Sequence, residues 1–475
     1  MKFKNKNIYC KKNILNKSIS ALEYIDNFFS SLEKEIKNIS FLDLPHQEVK
    51  FFIKKNLLTD FYYKTNSFGN KLKIINCFKY FFTYLFYVFY IFLHRSKKNI
   101  NLNKKTFLLI DNMQSESEKL LFKDLKKTSY KNKYLIRATN KNILNNKNIV
   151  FFDKYKNYKI SLKEFFYLFK ILFVSIKISF TYKINFIYFS LKIIDTIFYY
   201  RSFFLKYKIS NIIMHQHYLS NNIKNFYFKK NGGNKSCLIQ KNIPSLTTIN
   251  FFMHADILFT IGKNTQINNT FTKSKIYKSI NIGSIFMNKN KKKINENINV
   301  KKNYDVICLG GNDLVPNGSC DTYETYNADY LNHLHWLVKL KKNNPKLKIA
   351  FKHHSNNKNS FESNILKKTG VLMLDNSLNS YVESLKSKFI CSWASTMVVE
   401  MKALNFYSYF LDPNGKNDQF LHQLYNRKSL SITKFERFEQ MVLKSLKEKK
   451  TDNTYCIDYK NVIFNIVANL EDKKL

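Results

Sequence analysis

The stretch YVESLKSKFICSWASTMVVEMKALNFYSYFLDP, Tyr381 to Pro413, decides how the chain is read. KFICSW (388–393) is a short apolar run that stops just before the hydroxyl pair Ser395-Thr396. VVEMKALNF follows with helical character, and FYSYFLDP (406–413) is apolar and aromatic again. Strand, hydroxyl pair, helix, strand is the layout of one crossover unit in a parallel sheet. Hydroxyls at the start of such a helix add donors where the backbone N–H groups and the helix dipole already favour an anion. A phosphate is the ligand this turn suits. The same pair also serves as a plain N-cap, so its neighbours must choose between the two.

The alternation continues outward in both directions. YDVICLGGND (304–313), LKIAFKHHSN (347–356) and VLMLD are strand candidates, separated by the helix candidates YNADYLNHLHWLVKLKKNN and NSFESNILKKTG. Earlier in the chain KTFLLID (105–111), KYLIRAT, NIVFFD, SNIIMHQHY (210–218), KSCLIQ and ADILFTIG (255–262) form a second series. The expected fold class is α/β, with two Rossmann-like domains over 101–287 and 304–475. The segment between them, 288–303, is rich in Lys and Asn, poor in apolar residues, and reads as a linker. Residues 1–100 read as irregular or helical with an aromatic segment at 75–94. A helical, aromatic-rich insertion at 160–208 interrupts the first domain.

Composition narrows the function classes. The chain has 475 residues, enough for two domains, and a hydrophobic fraction of 45%, which suits a globular protein. The formal net charge of +45 invites a nucleic-acid reading, but Arg occurs only at 95, 137, 201, 427 and 437. Base-edge recognition favours Arg forks, so no nucleic-acid partner is expected. The surplus Lys instead draws the protein to phosphates or anionic lipid. Seven scattered cysteines without a CxxC pair fit a reducing compartment and no zinc site. MKFKNKNIYCKKN lacks the apolar core of a signal peptide, which points to the cytoplasm. The Lys-edged aromatic stretches at 75–94 and 164–208 suit either a buried helix pair or helices lying in a membrane interface. Peripheral attachment to the inner face of the cytoplasmic membrane is the expectation taken.

Three strand ends of the second series carry distinctive groups: Gly310-Gly311-Asn312, Lys352-His353-His354 and Ser395-Thr396. Glycines let backbone N–H groups approach an anion, and imidazoles donate to phosphate oxygens. Glu400, one helical turn beyond Thr396, is placed to accept from ribose hydroxyls. Open α/β sheets bind ligands at the carboxyl ends of their strands, so Gly310, Gly311, Asn312, His353, His354, Ser395, Thr396 and Glu400 form the candidate donor site.

FKHHS (351–355), SWASTMVVEMKALNFYSYFLD (392–412) and the upstream pair CLIQKNIPS and ADILFTIG carry a resemblance. The chain resembles GT-B glycosyltransferases of bacterial surface-polysaccharide synthesis, the surface carbohydrate and capsule biosynthesis proteins. Bacterial sialyltransferases and teichoic-acid polymerases are more distant relatives. In that family a strand ends in Lys-Pro-His-Pro, and a Ser-Ser/Thr pair and a Glu follow later. The match gives Lys352 the motif's Lys and His354 its His. The resemblance implies a GT-B fold with an interdomain cleft, His354, Ser395 and Thr396 on the donor phosphate, and Glu400 on the sugar or ribose. His353 and Ser355 stand where the family has its two prolines, Lys241 where it often has His, and Asn405 where it usually has Gly.

GT-B enzymes need no bound metal, because a cationic or dipolar pocket stabilises the leaving phosphate. No cofactor is expected, only a nucleotide-activated sugar as donor substrate. An inverting transfer needs a general base from the first domain. His217 is preferred, with Asp111 and His215 as the other candidates. His215 and His217 on one strand also suggest metal ligation, but no third ligand is apparent. The expected function is transfer of a sugar, or a polyol phosphate, to a lipid- or polysaccharide-linked acceptor. A nucleotide-sugar epimerase and a non-catalytic membrane scaffold are the alternatives.

Overall fold

The computed structural model describes residues 14–37, 39, 41–63, 74–93, 107–139, 148–152, 160–242, 252–262, 273–311, 323–354, 361–393, 395–413, 430–448 and 459–472. Alternating apolar runs build two parallel sheets, as expected. The first has seven strands in the order β3-β2-β1-β4-β5-β6-β7. These are β1 Phe107–Met113, β2 Tyr134–Ala138, β3 Ile149–Val150, β4 Ile209–Met214, β5 Lys235–Ile239, β6 His254–Thr260 and β7 Lys275–Asn281. The second has six in the order β10-β9-β8-β11-β12-β13. They are β8 Tyr304–Leu309, β9 Ile349–Lys352, β10 Leu372–Leu374, β11 Ser387–Ser392, β12 Tyr407–Leu411 and β13 Ser431–Ile432. Each sheet starts in its middle, winds outward one way and then the other. The chain therefore reverses between β1 and β4, and again between β8 and β11, where such sheets open a crevice at their carboxyl edge.

Side chains alternate across each strand, so each sheet feeds two cores. Leu108, Ile110 and Ile213 face one side of the first sheet, with Cys237 and Phe259. Leu109, Ile212 and Met214 face the other and join a large helical layer. That layer unites α1 Ile14–Lys37, α2 His46–Tyr63 and α3 Ile74–Leu93 with α4 Leu162–Tyr182 and α5 Phe186–Lys206. The described helices before residue 94 and the insertion thus form one helical cover. Ser161 starts α4 with a reciprocal cap: its hydroxyl accepts from the Glu164 N–H while the Glu164 carboxylate accepts from the Ser161 N–H. Ser175 of α4 meets Ser190 of α5 at 2.6 Å, small residues that let the two helices come close. α5 is largely buried, so for this helix the buried alternative is the one realised. Further helices are α6 Asn222–Lys230, α7 Ile285–Asn297, α8 Tyr323–Asn343, α9 Phe361–Leu366, α10 Ser380–Leu385, α11 Met397–Lys402, α12 Phe435–Ser445 and α13 Val462–Glu471.

Two parts of the expected domain division need correction. The Lys/Asn-rich 288–303 segment is mostly helix, because α7 keeps a sparse apolar stripe among its lysines. Its Ile285 enters the first domain's core, while Met287 and Ile294 enter that of the second. α13, expected in the second domain, returns to the first: Val462, Ile463 and Ile466 pack under β1 and β4. Lys235 on β5 ties it down by donating to the Asn469 carbonyl at 2.8 Å. The carboxyl edges of the two sheets adjoin here. Ile261, just past β6, shares a core with Leu309 and Met401 of the second domain.

Candidate functional site

The ends of β9, β8 and β11 lie side by side, which brings Gly310-Gly311, His353-His354 and Ser395-Thr396 to one edge. Gly310 donates its N–H to the Lys352 carbonyl at 2.8 Å. A Cβ on Gly310 would sit 3.1 Å from the Phe351 ring and 3.2 Å from the His354 nitrogen, so a side chain here would push the two strand ends apart by a few tenths of an ångström. Gly311 donates to the Tyr330 hydroxyl at 2.8 Å, and that hydroxyl donates to Glu362 at 2.9 Å.

Ser392 fastens the third strand end. Its hydroxyl donates to the Leu309 carbonyl at 2.7 Å and accepts the Ser395 N–H at 3.1 Å. One buried serine thereby links β8, β11 and the hydroxyl pair. The sequence reading missed it, although a serine closing an apolar strand was a visible signal. Ser395 in turn accepts the Met397 N–H at 3.3 Å, a local turn contact, while Thr396 at the N-cap position makes no side-chain cap bond to the helix. Trp393 lies beneath the turn, edge-on to Tyr330 at 5.8 Å, which makes it part of the core.

Not every candidate faces the site. His353 is held by α9: Nδ1 is 2.9 Å from the Glu362 carboxylate and Nε2 is 3.1 Å from the Ser363 hydroxyl. Burial alone would raise the Glu362 carboxyl, but the hydrogen bonds with His353 and Tyr330 hold it below the ordinary range. His353 therefore positions α9, and His354 remains the half-buried imidazole at the strand end. Lys352 is buried and turns to the Asn376 carbonyl at 3.0 Å, away from the glycines. Asn312 lies outside the described residues.

Glu400 is a second correction. It is buried and accepts hydrogen bonds from the Ser284 and Tyr381 hydroxyls, so both carboxylate oxygens are taken by protein. Ser284 caps α7, and the contact joins the two domains. Burial raises the Glu400 carboxyl above its ordinary value, against the lowering effect of the two hydroxyls. A carboxyl raised in the folded state binds its proton more tightly there than when unfolded. Its contribution to stability is therefore full at low pH and is lost as pH rises through the folded value. Glu400→Gln, which cannot ionise, is expected to gain melting temperature relative to wild type between about pH 5 and about pH 8. An unchanged difference across that range would contradict the raised carboxyl.

In the first domain Asp111 is wholly buried at the end of β1, bonded to Arg137 and, at 2.6 Å, to Lys224. Burial opposes its charge, but the two cations hold its carboxyl far below the usual range. A carboxylate so paired is a poor proton acceptor, and Asp111 is withdrawn as a base. β4 ends at Met214, so His215 and His217 lie in the turn beyond it and do not share a strand. His215 Nε2 is 3.3 Å from Glu118, and His217 Nδ1 accepts the Lys241 N–H at 3.3 Å. The two imidazoles have different partners, and no group of three metal-ligating side chains stands among the described residues. Glu118, which the sequence reading did not single out, is pulled down to about 2; burial opposes this, and bonds from His215 and the Gln114 N–H outweigh it.

No protein-family model matches the chain, and no curated protein does. Among solved structures the chain is similar to UDP-GlcNAc 2-epimerase from Methanocaldococcus jannaschii, at 12% identity over 77% of this chain and 100% of that one, with a TM-score of 0.41. It is similar also to the wall teichoic acid polymerase TagF, at 12% identity over 83% and 97% with a TM-score of 0.40. A third is MurG from Acinetobacter baumannii, at 11% identity over 77% and 99% with a TM-score of 0.37. Two Rossmann-like sheets with adjoining carboxyl edges are the GT-B arrangement, and it is visible in the sheets themselves.

Proposed function

We propose that the chain is a glycosyltransferase acting without a bound metal. It moves a sugar, or a polyol phosphate, from a nucleotide-activated donor to a lipid- or polysaccharide-linked acceptor in surface-polysaccharide synthesis. The observation that carries this reading is the convergence of three neighbouring strand ends at the chain reversal of the second sheet. Gly310-Gly311, His354 and Ser395-Thr396 meet there. The hydroxyl pair holds the donor's phosphates beside the glycine turn, and His354 donates to the oxygen on which charge builds as the sugar leaves. The general base comes from the adjoining edge of the first sheet, where His217 and the Glu118-held His215 are the available imidazoles. Peripheral attachment at the inner face of an anionic membrane supplies the acceptor.

Thermal unfolding against CMP, CDP, UDP, GDP and ADP tests the donor site. A ligand at about one hundred times its dissociation constant adds about 2.7 kcal/mol, so one nucleotide is expected to raise the melting temperature clearly. If none does, a membrane scaffold explains the fold better. Once the nucleotide is known, an epimerase would isomerise the sugar nucleotide with no acceptor present, whereas the transferase leaves the sugar unchanged until an acceptor is added.

A further inference from the structure

α3 and α4 each bury one face and leave the other uncovered. On α3, Phe78, Phe82 and Phe86 recur every four residues along the outer side, with Phe82 63% and Phe86 72% exposed. On α4, Phe166, Phe173 and Phe180 recur every seven, with Phe166 and Phe173 each 68% exposed. These spacings put each set in one row along its helix. The rows belong to a single surface, because the two helices touch through Phe89, whose ring lies 5.7 Å from that of Phe165 and 5.8 Å from that of Phe169. The Tyr84 hydroxyl on α3 also donates to the Leu168 carbonyl of α4 at 2.8 Å. Soluble proteins seldom leave so many neighbouring rings in water.

Lysines predominate on this surface; Glu35 of α1 reaches it but is paired with Lys177 of α4 at 3.2 Å. Lys79 stands beside the α3 row, and Lys163 and Lys170 beside the α4 row, all exposed. α3 contains no carboxylate. The single one on α4, Glu164, is engaged by Arg201 at 2.6 Å. Aromatic rings edged by lysines, with the neighbouring acids Glu35 and Glu164 each held in an ion pair, complement a surface that is apolar below and anionic above.

We propose that the outer faces of α3 and α4 form the platform on which this protein docks to an anionic lipid bilayer, lying in the interface and not crossing it. α4 is long and apolar enough to span a membrane by length and composition. Yet its inner side, with Leu168, Ile171, Leu172 and Ile178, is built into the core over the first sheet. A crossing helix would have to leave that core, whereas a helix lying flat keeps it and places only the outer rings among lipid chains. The proposal names the surface where the acceptor of the proposed transfer is met, and in that sense rests on that reading. Lipid binding is measured without nucleotide, so the two fail separately.

Sedimentation with phosphatidylcholine vesicles, with and without phosphatidylglycerol, tests it on the full chain. Wild type is expected to pellet with the phosphatidylglycerol vesicles. The variant Phe82→Ser/Phe86→Ser/Phe166→Ser/Phe173→Ser is expected to bind them about tenfold more weakly or worse, with an unchanged melting temperature because these rings are exposed. A second variant, Lys79→Glu/Lys163→Glu/Lys170→Glu, should lose binding to the anionic vesicles and leave any residual binding to neutral ones unaltered. The proposal is overturned if wild type ignores both vesicles, or if the serine variant pellets as wild type does. It is equally overturned if analytical ultracentrifugation finds a wild-type dimer that the serine variant turns into monomer with no change in vesicle binding. In that case a second copy of the chain covers the surface.

Discussion

Asp111→Ala is expected to destabilise the first domain by about 3–5 kcal/mol, the cost of leaving one side of a buried ion-pair cluster without its counter-charge. Asp111 has no exposed surface and is the shared acceptor of Arg137 and Lys224, both of them buried. Removing it leaves two cations in a low-dielectric interior, with the Tyr199 hydroxyl, 2.8 Å from Arg137, as a poor substitute for a carboxylate. The pH dependence gives a separate check. A carboxyl held low in the folded state contributes stability that is fully present above its unfolded value and is lost only as pH falls through the folded one. For Asp111 that loss lies in strong acid. The deficit of the variant in urea unfolding should therefore persist from about pH 5 to about pH 8 and shrink towards the alkaline end. Lys224, already held below its ordinary value by burial, loses in the variant the counter-charge that supports its proton. Glu400→Gln should change its sign or size over the same interval, because its carboxyl is displaced in the opposite direction. A small deficit for Asp111→Ala would mean that the cluster is hydrated in solution.

These two carboxylates also mark where sequence reading reached its limit. The order of strands was legible, because nearly every strand of both sheets is a continuous apolar run bounded by polar residues, the pattern of strands covered on both faces. The strands it missed are β7 and β13. β7, KIYKSIN, is an edge strand with most residues exposed and lysines interspersed, so apolar periodicity is absent. β13 has only two residues. α7 was hidden for a related reason: a helix that divides two or three apolar residues between two cores carries little amphipathic signal. The location of the candidate site was legible too, since strand ends in an open sheet are defined by order alone. Which way each side chain turns was not. His353 and His354 are adjacent and chemically identical, and only the fold places Glu362 and Ser363 against the first of them. Glu400 has the helical position of a ligand-facing residue, but Ser284, 116 positions away in sequence, reaches it first.

The division of labour between the two histidines gives the sharpest test of the donor site. With the nucleotide that stabilises wild type, His354→Ala is expected to lose about 1.5–3 kcal/mol of binding, the usual worth of a hydrogen bond to a charged group. That corresponds to a dissociation constant weaker by about ten- to a hundredfold, and the thermal shift should largely disappear. His353→Ala should show the reverse pattern. Its ring holds the start of α9 through Glu362 and Ser363, so its removal lowers the melting temperature of the free protein while the nucleotide-dependent shift persists. Ser395→Ala should fall between the two. It removes a hydroxyl that accepts one backbone N–H, at a cost of about 0.5–1.5 kcal/mol in stability, together with part of the nucleotide affinity. The site would be misplaced if His353→Ala lost the nucleotide and His354→Ala kept it. The same logic separates a working site from a degenerate one. A working site binds nucleotide in wild type and in His353→Ala and loses affinity in His354→Ala, whereas a degenerate one binds nothing in any variant.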